Sequence, residues 1–553
     1  MLSGNEALAR ALGASRLRVS HGFVGVPLHR LVDGMLARPP GGLTHRPSSS
    51  DLSAAGLALG GALLSGAGAC LLLRAGGLNS ALEALATLGL MNELRAPVVI
   101  IAGYDAGPTS AATAQDDRGT LADLCHLPQL DPGSPDELYH LTRLAAATSR
   151  AAGLPVVVRV SNRVLDASGE VNELPPDPPE PEPHQSYARA AGPYVLSAAS
   201  YRYHVDKRAK RLQQLDALVG SLVTQTPGEG AIGIVIAGHL GPRAQARVAA
   251  RRIPTLRLGT AWPLPRRIIG AFLRDKNEVL VLEEGENFLE REVQSIAQVA
   301  DLACRVRGLE ERRPLRIDDE RLELALRALG PAVDDPRVQE RDAATWRGCA
   351  ESLTAVTSLD LEPWPLFAAR SRNKLWGFAA TDPRARLLAA IRELSRPTVV
   401  VADPSSAALL GFRERFIDVK AGFGLAPSIA GALAEAGAVE EREGRPLCVA
   451  LLGDLNFFQS SLLGVIDNVA QRREVLHVIL ARGLEPSVPG LTASGATPGS
   501  LVEAQLRALG IPYLTTRLGE DGVEDALRAI AEEEGPRALL CLGAPGREEA
   551  IGG

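Results

Sequence analysis

Eight short, nearly continuous apolar runs set the limits on what this 553-residue chain can fold into. They are PVVIIAG from Pro97, PVVVRVS from Pro155, IGIVIAG from Ile232, EVLVLEE from Glu278, PTVVVAD from Pro397, CVALLGD from Cys448, VLHVIL from Val475 and ALLCLG from Ala538. A strand with one wet face alternates apolar and polar residues. A run that is apolar at every position needs cover on both faces, which parallel sheets flanked by helices provide. Amphipathic stretches such as EALARALGA, PRAQARVAARR and GVEDALRAIAEEE lie between the runs and supply those helices. The fold class is therefore α/β, multidomain, with parallel sheets flanked by helices.

A chain this long exceeds what one core supports, so several domains are expected. Composition places the joins. PPDPPEPEPH from Pro175 is proline-rich and acidic, which favours extended, solvated backbone. A basic helix follows, DKRAKRLQQLDALVGSLV from Asp206, whose charges read as a solvated face, with His204 exposed at its start. A second polar stretch covers about Val306 to Thr357. The expected organisation is a first α/β domain over 1–174, the proline-rich linker and basic helix over 175–228, and a middle α/β domain over 229–305. A polar helical linker over 306–359 and a last α/β domain over 360–553 complete it.

A net charge of -6, with both signs interspersed, gives no case for nucleic acid. The longest membrane candidate, LSAAGLALGGALLSGAGACLLL from Leu52, is rich in Gly, Ala and Ser and reads as a tightly packed helix leading into a buried strand. The start of the chain has neither the basic flank nor the apolar core of a signal peptide. Six cysteines are scattered without a CxxC pair, so no iron–sulfur cluster is expected on this chain, and a cytoplasmic location is the default.

One stretch carries more chemistry than the rest. From Val449 the sequence reads VALLGDLNFFQSSLLGVIDNVAQRREVLHVILARG: a strand ending in Gly453-Asp454, a helix-length segment, and a second strand ending at Ala481-Arg482. With LSGNEALARAL, GFVGVPLHRLVDGM, AGGLNSALEAL from Ala75, TAQDDRGTLADLCHLPQLDPGSPDELYHL from Thr113, LPVVVRVSNRV from Leu154 and LGTAWPLPRRIIGAFLRDKNEVLVLEEGENFLEREVQ from Leu258, it resembles the alpha subunit of indolepyruvate:ferredoxin oxidoreductase. That family belongs to the thiamine-diphosphate-dependent 2-oxoacid oxidoreductases. The match runs in one register over nearly the whole chain.

The resemblance implies a multidomain thiamine-diphosphate-binding fold, with 1–174 resembling a pyrimidine-binding domain and 360–553 a diphosphate-binding domain. It implies thiamine diphosphate and magnesium as cofactors, homo-oligomers of at least a dimer, and a smaller beta-type partner subunit. It places cofactor contacts at Gly453, Asp454, Asn456, Arg482, Gly424 and Asn79, with Asp454 as a magnesium ligand. Several positions depart from the family. Its proton-relaying glutamate falls on Leu52, or on Asp51 with a slip of one residue, and its hydroxyl-bearing residue in the GFVGVP turn is Val26. The second metal ligand is Arg482, whose guanidinium only donates hydrogen bonds. The chain stops near where the family's ferredoxin-like extension would begin. Two readings of Arg482 stay open: a guanidinium that holds a phosphate-like anion directly, or one that pairs with Asp454 and fills an abandoned site.

Three functions follow as expectations. The first is a structural or regulatory pseudoenzyme subunit, paired with a beta-type subunit or an active paralogue. The second is a working 2-oxoacid oxidoreductase subunit with its electron-transfer clusters on a partner chain. The third is a binder of another phosphate-bearing ligand through the former diphosphate pocket, using backbone donors at Gly453-Asp454 and at the helix from Phe423. No catalytic residue is assigned.

Overall fold

The structure is a computed structural model that describes residues 1–62, 67–90, 94, 96–104, 116–178, 194–195, 198–309, 317–329, 343–355, 383–404, 416–438, 446–481 and 498–543. Each of the eight apolar runs forms a strand: Val98–Tyr104, Val156–Ser161, Ile232–Ala237, Glu278–Leu282, Thr398–Ala402, Leu447–Gly453, Val475–Ala481 and Arg537–Leu542. The chain divides into two compact units.

The first unit comprises Met1–Pro47, Ala67–Pro181 and Asp206–Leu359. It holds a seven-stranded sheet in the order Thr260–Trp262, Gln129–Leu130, Val156–Ser161, Val98–Tyr104, Ala69–Leu73, Val19–Gly22, Thr44–Pro47. Every neighbour is parallel except the Thr260–Trp262 edge, which pairs antiparallel. The long covering helix Pro135–Ala152 starts where Ser134 accepts the Glu137 amide, with Pro135 in its first turn, and ends on left-handed Gly153. A five-stranded sheet in the same unit runs Val223–Thr226, Thr255–Leu258, Ile232–Ala237, Glu278–Leu282, Arg305–Arg307. Only its first edge pair is antiparallel.

Two segments that look polar in sequence are folded onto this unit. In 306–359 the helix Asp319–Arg327 buries Leu322 and Leu326 with Ile234, Ile236 and Val248, and Trp346 and Cys349 join the core beside Leu138. The outward charges of that helix pair with the helix Leu240–Ala249: Arg243 meets Asp319, and Arg251 meets Glu323. The segment is polar on one face only, which composition averages away. From Asp206 on, the basic helix likewise departs from expectation, since Arg208 and Arg211 are buried; His204, which falls in the second unit, is buried as well. Arg208 reaches the Gly89 carbonyl at 3.4 Å, so its stem is covered while its head finds a backbone acceptor.

The second unit comprises Ser48–Gly66, Glu182–Val205 and Asp360–Gly553. Its seven-stranded sheet is parallel throughout, ordered Tyr513–Arg517, Arg537–Leu542, Val475–Ala481, Leu447–Gly453, Thr398–Ala402, Val419–Lys420, Tyr194–Val195. The edge strand Tyr194–Val195 comes from the stretch expected to be linker. The helix Asp51–Gly60, expected within the first domain, instead packs here against the helix Ala426–Ala438. Small side chains explain the close approach: a Cβ on Gly60 would lie 2.8 Å from the Ile429 carbonyl oxygen and 2.9 Å from Ile429 Cα.

Candidate functional site

In parallel α/β sheets the carboxyl ends of adjacent strands form the ligand-facing edge. In the second unit, Leu447–Gly453 and Thr398–Ala402 end side by side, paired Ala402 to Leu451. Gly453 is extended, and Asp454 opens a helical run through Asn456, the turn Phe457–Ser461 and the helix Leu462–Ala470. Asp454 is buried, with Oδ1 accepting the Leu455 amide at 3.0 Å. Asn456 is also buried and donates its Nδ2 to the Pro404 carbonyl at 2.8 Å, tying this run to the end of the neighbouring strand.

Asp403 is the residue after Ala402. It is fully buried. Its carboxylate accepts the Ala426 amide at 2.9 Å, the Gly424 and Leu425 amides, and the Ser461 hydroxyl. Burial pushes its pKa up to about 6, against those four donors, which pull the other way. Gly424 is left-handed at φ 77°, which frees the turn to aim successive amides at that one carboxylate. The Ala426–Ala438 helix start, expected to offer its donors to an outside anion, thus spends them on the chain's own carboxylate.

The first turn of Asp51–Gly60 is fixed by Ser50, which caps the Ser53 amide, and by Asp467 on the Leu462–Ala470 helix. Asp467 accepts the Ser49 amide at 2.6 Å and the Ser53 hydroxyl, and Ser53 and Ser428 share a 3.0 Å contact. Burial pushes the Asp467 carboxyl up while the serine bonds oppose it. Asp51 and Leu52 both lie buried in that turn.

Four of the expected cofactor positions, Gly453, Asp454, Asn456 and Gly424, therefore gather at one strand-end region. Asn79 is in the first unit, exposed in the first turn of Gly77–Leu90. There the AGGLN and GFVGVP turns meet, the Ala75 amide donating to the Val26 carbonyl at 2.9 Å. Arg482 lies outside the described residues, so neither reading of it is decided. Among the described residues no group of three or more His, Cys, Asp or Glu side chains is placed to hold a metal ion. Five of the six cysteines are buried and Cys304 is half-buried. No described helix is long and apolar enough to cross a membrane.

No protein-family model matches the chain. It is distantly homologous to indolepyruvate oxidoreductase subunit IorA. Identity to that of Methanothermobacter thermautotrophicus is 24% over 540 residues, covering 93% of this chain and 81% of the relative. Identity to that of Thermococcus kodakarensis is 24% over 541 residues, covering 90% and 76%. Among solved structures, a Mycobacterium smegmatis protein assigned to the thiamin diphosphate-dependent enzymes superposes with a TM-score of 0.50 at 15% identity, covering 99% of this chain and 100% of that one. Benzoylformate decarboxylase from Polynucleobacter necessarius gives a TM-score of 0.50 at 14% identity, covering 98% of each chain. The fold is the multidomain α/β fold of thiamine-diphosphate enzymes, parallel sheets flanked by helices.

That fold implies thiamine diphosphate and magnesium; of the expected metal positions the described residues include only Asp454, and Arg482 lies outside them. Magnesium wants near-octahedral oxygen ligands. Asp454 offers one carboxylate for the metal, while the amides at Gly424 to Ala426, which could meet a diphosphate oxygen, are taken by Asp403. Leu52, on the expected proton-relay position, carries no ionisable group.

Proposed function

We propose that this chain is a homologue of the alpha subunit of a 2-oxoacid:ferredoxin oxidoreductase of the indolepyruvate type that has left thiamine catalysis and acts as a structural or regulatory subunit. Leu52 carries the reading. Thiamine chemistry needs an acid beside the pyrimidine to promote removal of the ring proton. The turn that would hold it is capped by Ser50 and tied to Asp467, and it buries Leu52. In this reading the body is kept for assembly: copies of the chain associate with one another and with a beta-type subunit or an active paralogue.

Calorimetry with thiamine diphosphate and magnesium on the full chain tests this. No saturable heat is expected; tight, magnesium-dependent binding would overturn it.

A second reading is favoured by Asp454, which sits buried at a strand end as a metal-binding carboxylate would. In it the chain is a working oxidoreductase subunit whose electron-transfer clusters lie on a partner chain. Reduction of ferredoxin or a dye by the copurified complex, dependent on an aryl pyruvate, would decide for it.

A further inference from the structure

The most concentrated buried charge among the described residues lies in the first unit and has no part in the cofactor question. Four carboxylates, Asp116, Asp117, Asp131 and Glu283, meet two guanidinium groups, Arg118 and Arg159. Arg159, on the Val156–Ser161 strand, lies 3.1 Å from Asp117, 3.3 Å from Asp131 and 3.8 Å from Asp116, with the Tyr104 ring 4.3 Å from its guanidinium carbon. Arg118 pairs with Asp116 and crosses to the end of the five-stranded sheet. There it donates to Glu283 at 2.8 Å and to the Glu284 and Glu286 carbonyls at 3.0 and 2.8 Å. The cluster is thus the joint between the two sheets of this unit.

Four acids against two bases leave two negative charges uncompensated, in side chains no more than 7% exposed. An uncompensated buried carboxylate normally resolves its cost by taking a proton. Asp131 is the least satisfied. Its Oδ1 has no hydrogen-bond partner among the described residues, and it shares Arg159 with two other acids. It also faces the five-stranded sheet directly: a Cβ on Gly238 would lie 2.8 Å from its Oδ2.

We propose that this joint is proton-held: Asp131, with Asp117 beside it, carries a proton in the closed form, and the contact between the two sheets loosens when that proton leaves. Burial pushes the Asp131 and Asp117 carboxyls up, against the pull of Arg159, and burial likewise raises Glu283 against Arg118. Asp116 behaves oppositely. Burial would raise it, but its bonds to Arg118 outweigh that and hold it at about 2. The other ionisable groups at the joint are Tyr104, the Glu284–Arg163 pair, the Glu137–Arg257 pair by the Gly133 turn, and His239 next to Gly238. A folded pKa raised above the unfolded one gives stability that is full below the ordinary carboxylate range. That stability is lost as pH rises through the folded value.

The test is hydrogen exchange of the full chain, read at the amides of Glu278–Leu282 and Leu289–Glu290, near pH 5 and pH 8 and corrected for intrinsic rates. Wild-type protection should fall toward pH 8, and Asp131→Asn should remove most of that fall, as expected when its linkage is deleted. If Asp131→Asn does not fold, Asp117→Asn takes its place, and the wild-type arm stands alone. Equal wild-type protection at both pH values, or the same fall in a folded variant, overturns the proposal.

Discussion

Asp403→Asn separates the two forces that act on the buried carboxylate at the start of the Ala426–Ala438 helix. The ionised group is favoured by the Gly424, Leu425 and Ala426 amides and the Ser461 hydroxyl, and disfavoured by complete burial. A pKa near 6 against the ordinary 3.8 says that burial wins. Because the folded value is raised, the contribution of Asp403 to wild-type stability is full below about 3.8 and is lost as pH rises through about 6. A gap of about two pH units is worth roughly 3 kcal/mol. Asparagine does not titrate, so the stability difference between wild type and Asp403→Asn should move by about 2 kcal/mol in the variant's favour between pH 4 and pH 7.5. Asp403→Ala is the companion. It orphans buried donors at any pH and should cost about 3 to 5 kcal/mol, at roughly 1 to 3 kcal/mol per unmade bond with partial rescue by water. Urea unfolding of the full chain at the two pH values, followed by circular dichroism, measures both. A wild-type to Asp403→Asn gap that stays constant, or moves the other way, refutes the argument that burial outweighs the four donors.

Gly60→Leu should destabilise the second unit by about 1 to 3 kcal/mol, because the added side chain meets the Ile429 backbone rather than a flexible side chain. Gly34→Ala is the control: nothing lies within 4 Å of its Cβ position in His29–Ala37, so helix propensity alone should stabilise it by up to about 1 kcal/mol. Thermal unfolding of the two variants should shift in opposite directions. Trp346→Ala removes a buried ring stacked on His140 at 4.8 Å and should cost about 3 to 5 kcal/mol. An unchanged unfolding midpoint would show that the 343–355 segment does not belong to the core of the first unit.

The apolar runs by themselves determined that the chain builds parallel sheets, because a strand apolar at every position has no face to give to water. They also placed the strand end at Gly453-Asp454, since the run stops where the first polar residue appears. Three things were decided only in three dimensions. Glycine and serine spacing in Asp51–Gly60 marks it as a packing helix but does not name its partner, the Ala426–Ala438 helix of the second unit. Polar composition hid the inward leucines and tryptophan of 306–359, because averaging over a window erases which face each residue takes. The donors expected at Gly424 for an outside anion were already taken by Asp403, more than twenty positions earlier in the chain. A carboxylate at the end of an apolar run is visible in sequence. Which helix start it closes depends on how neighbouring strands align, and only the assembled sheet fixes that.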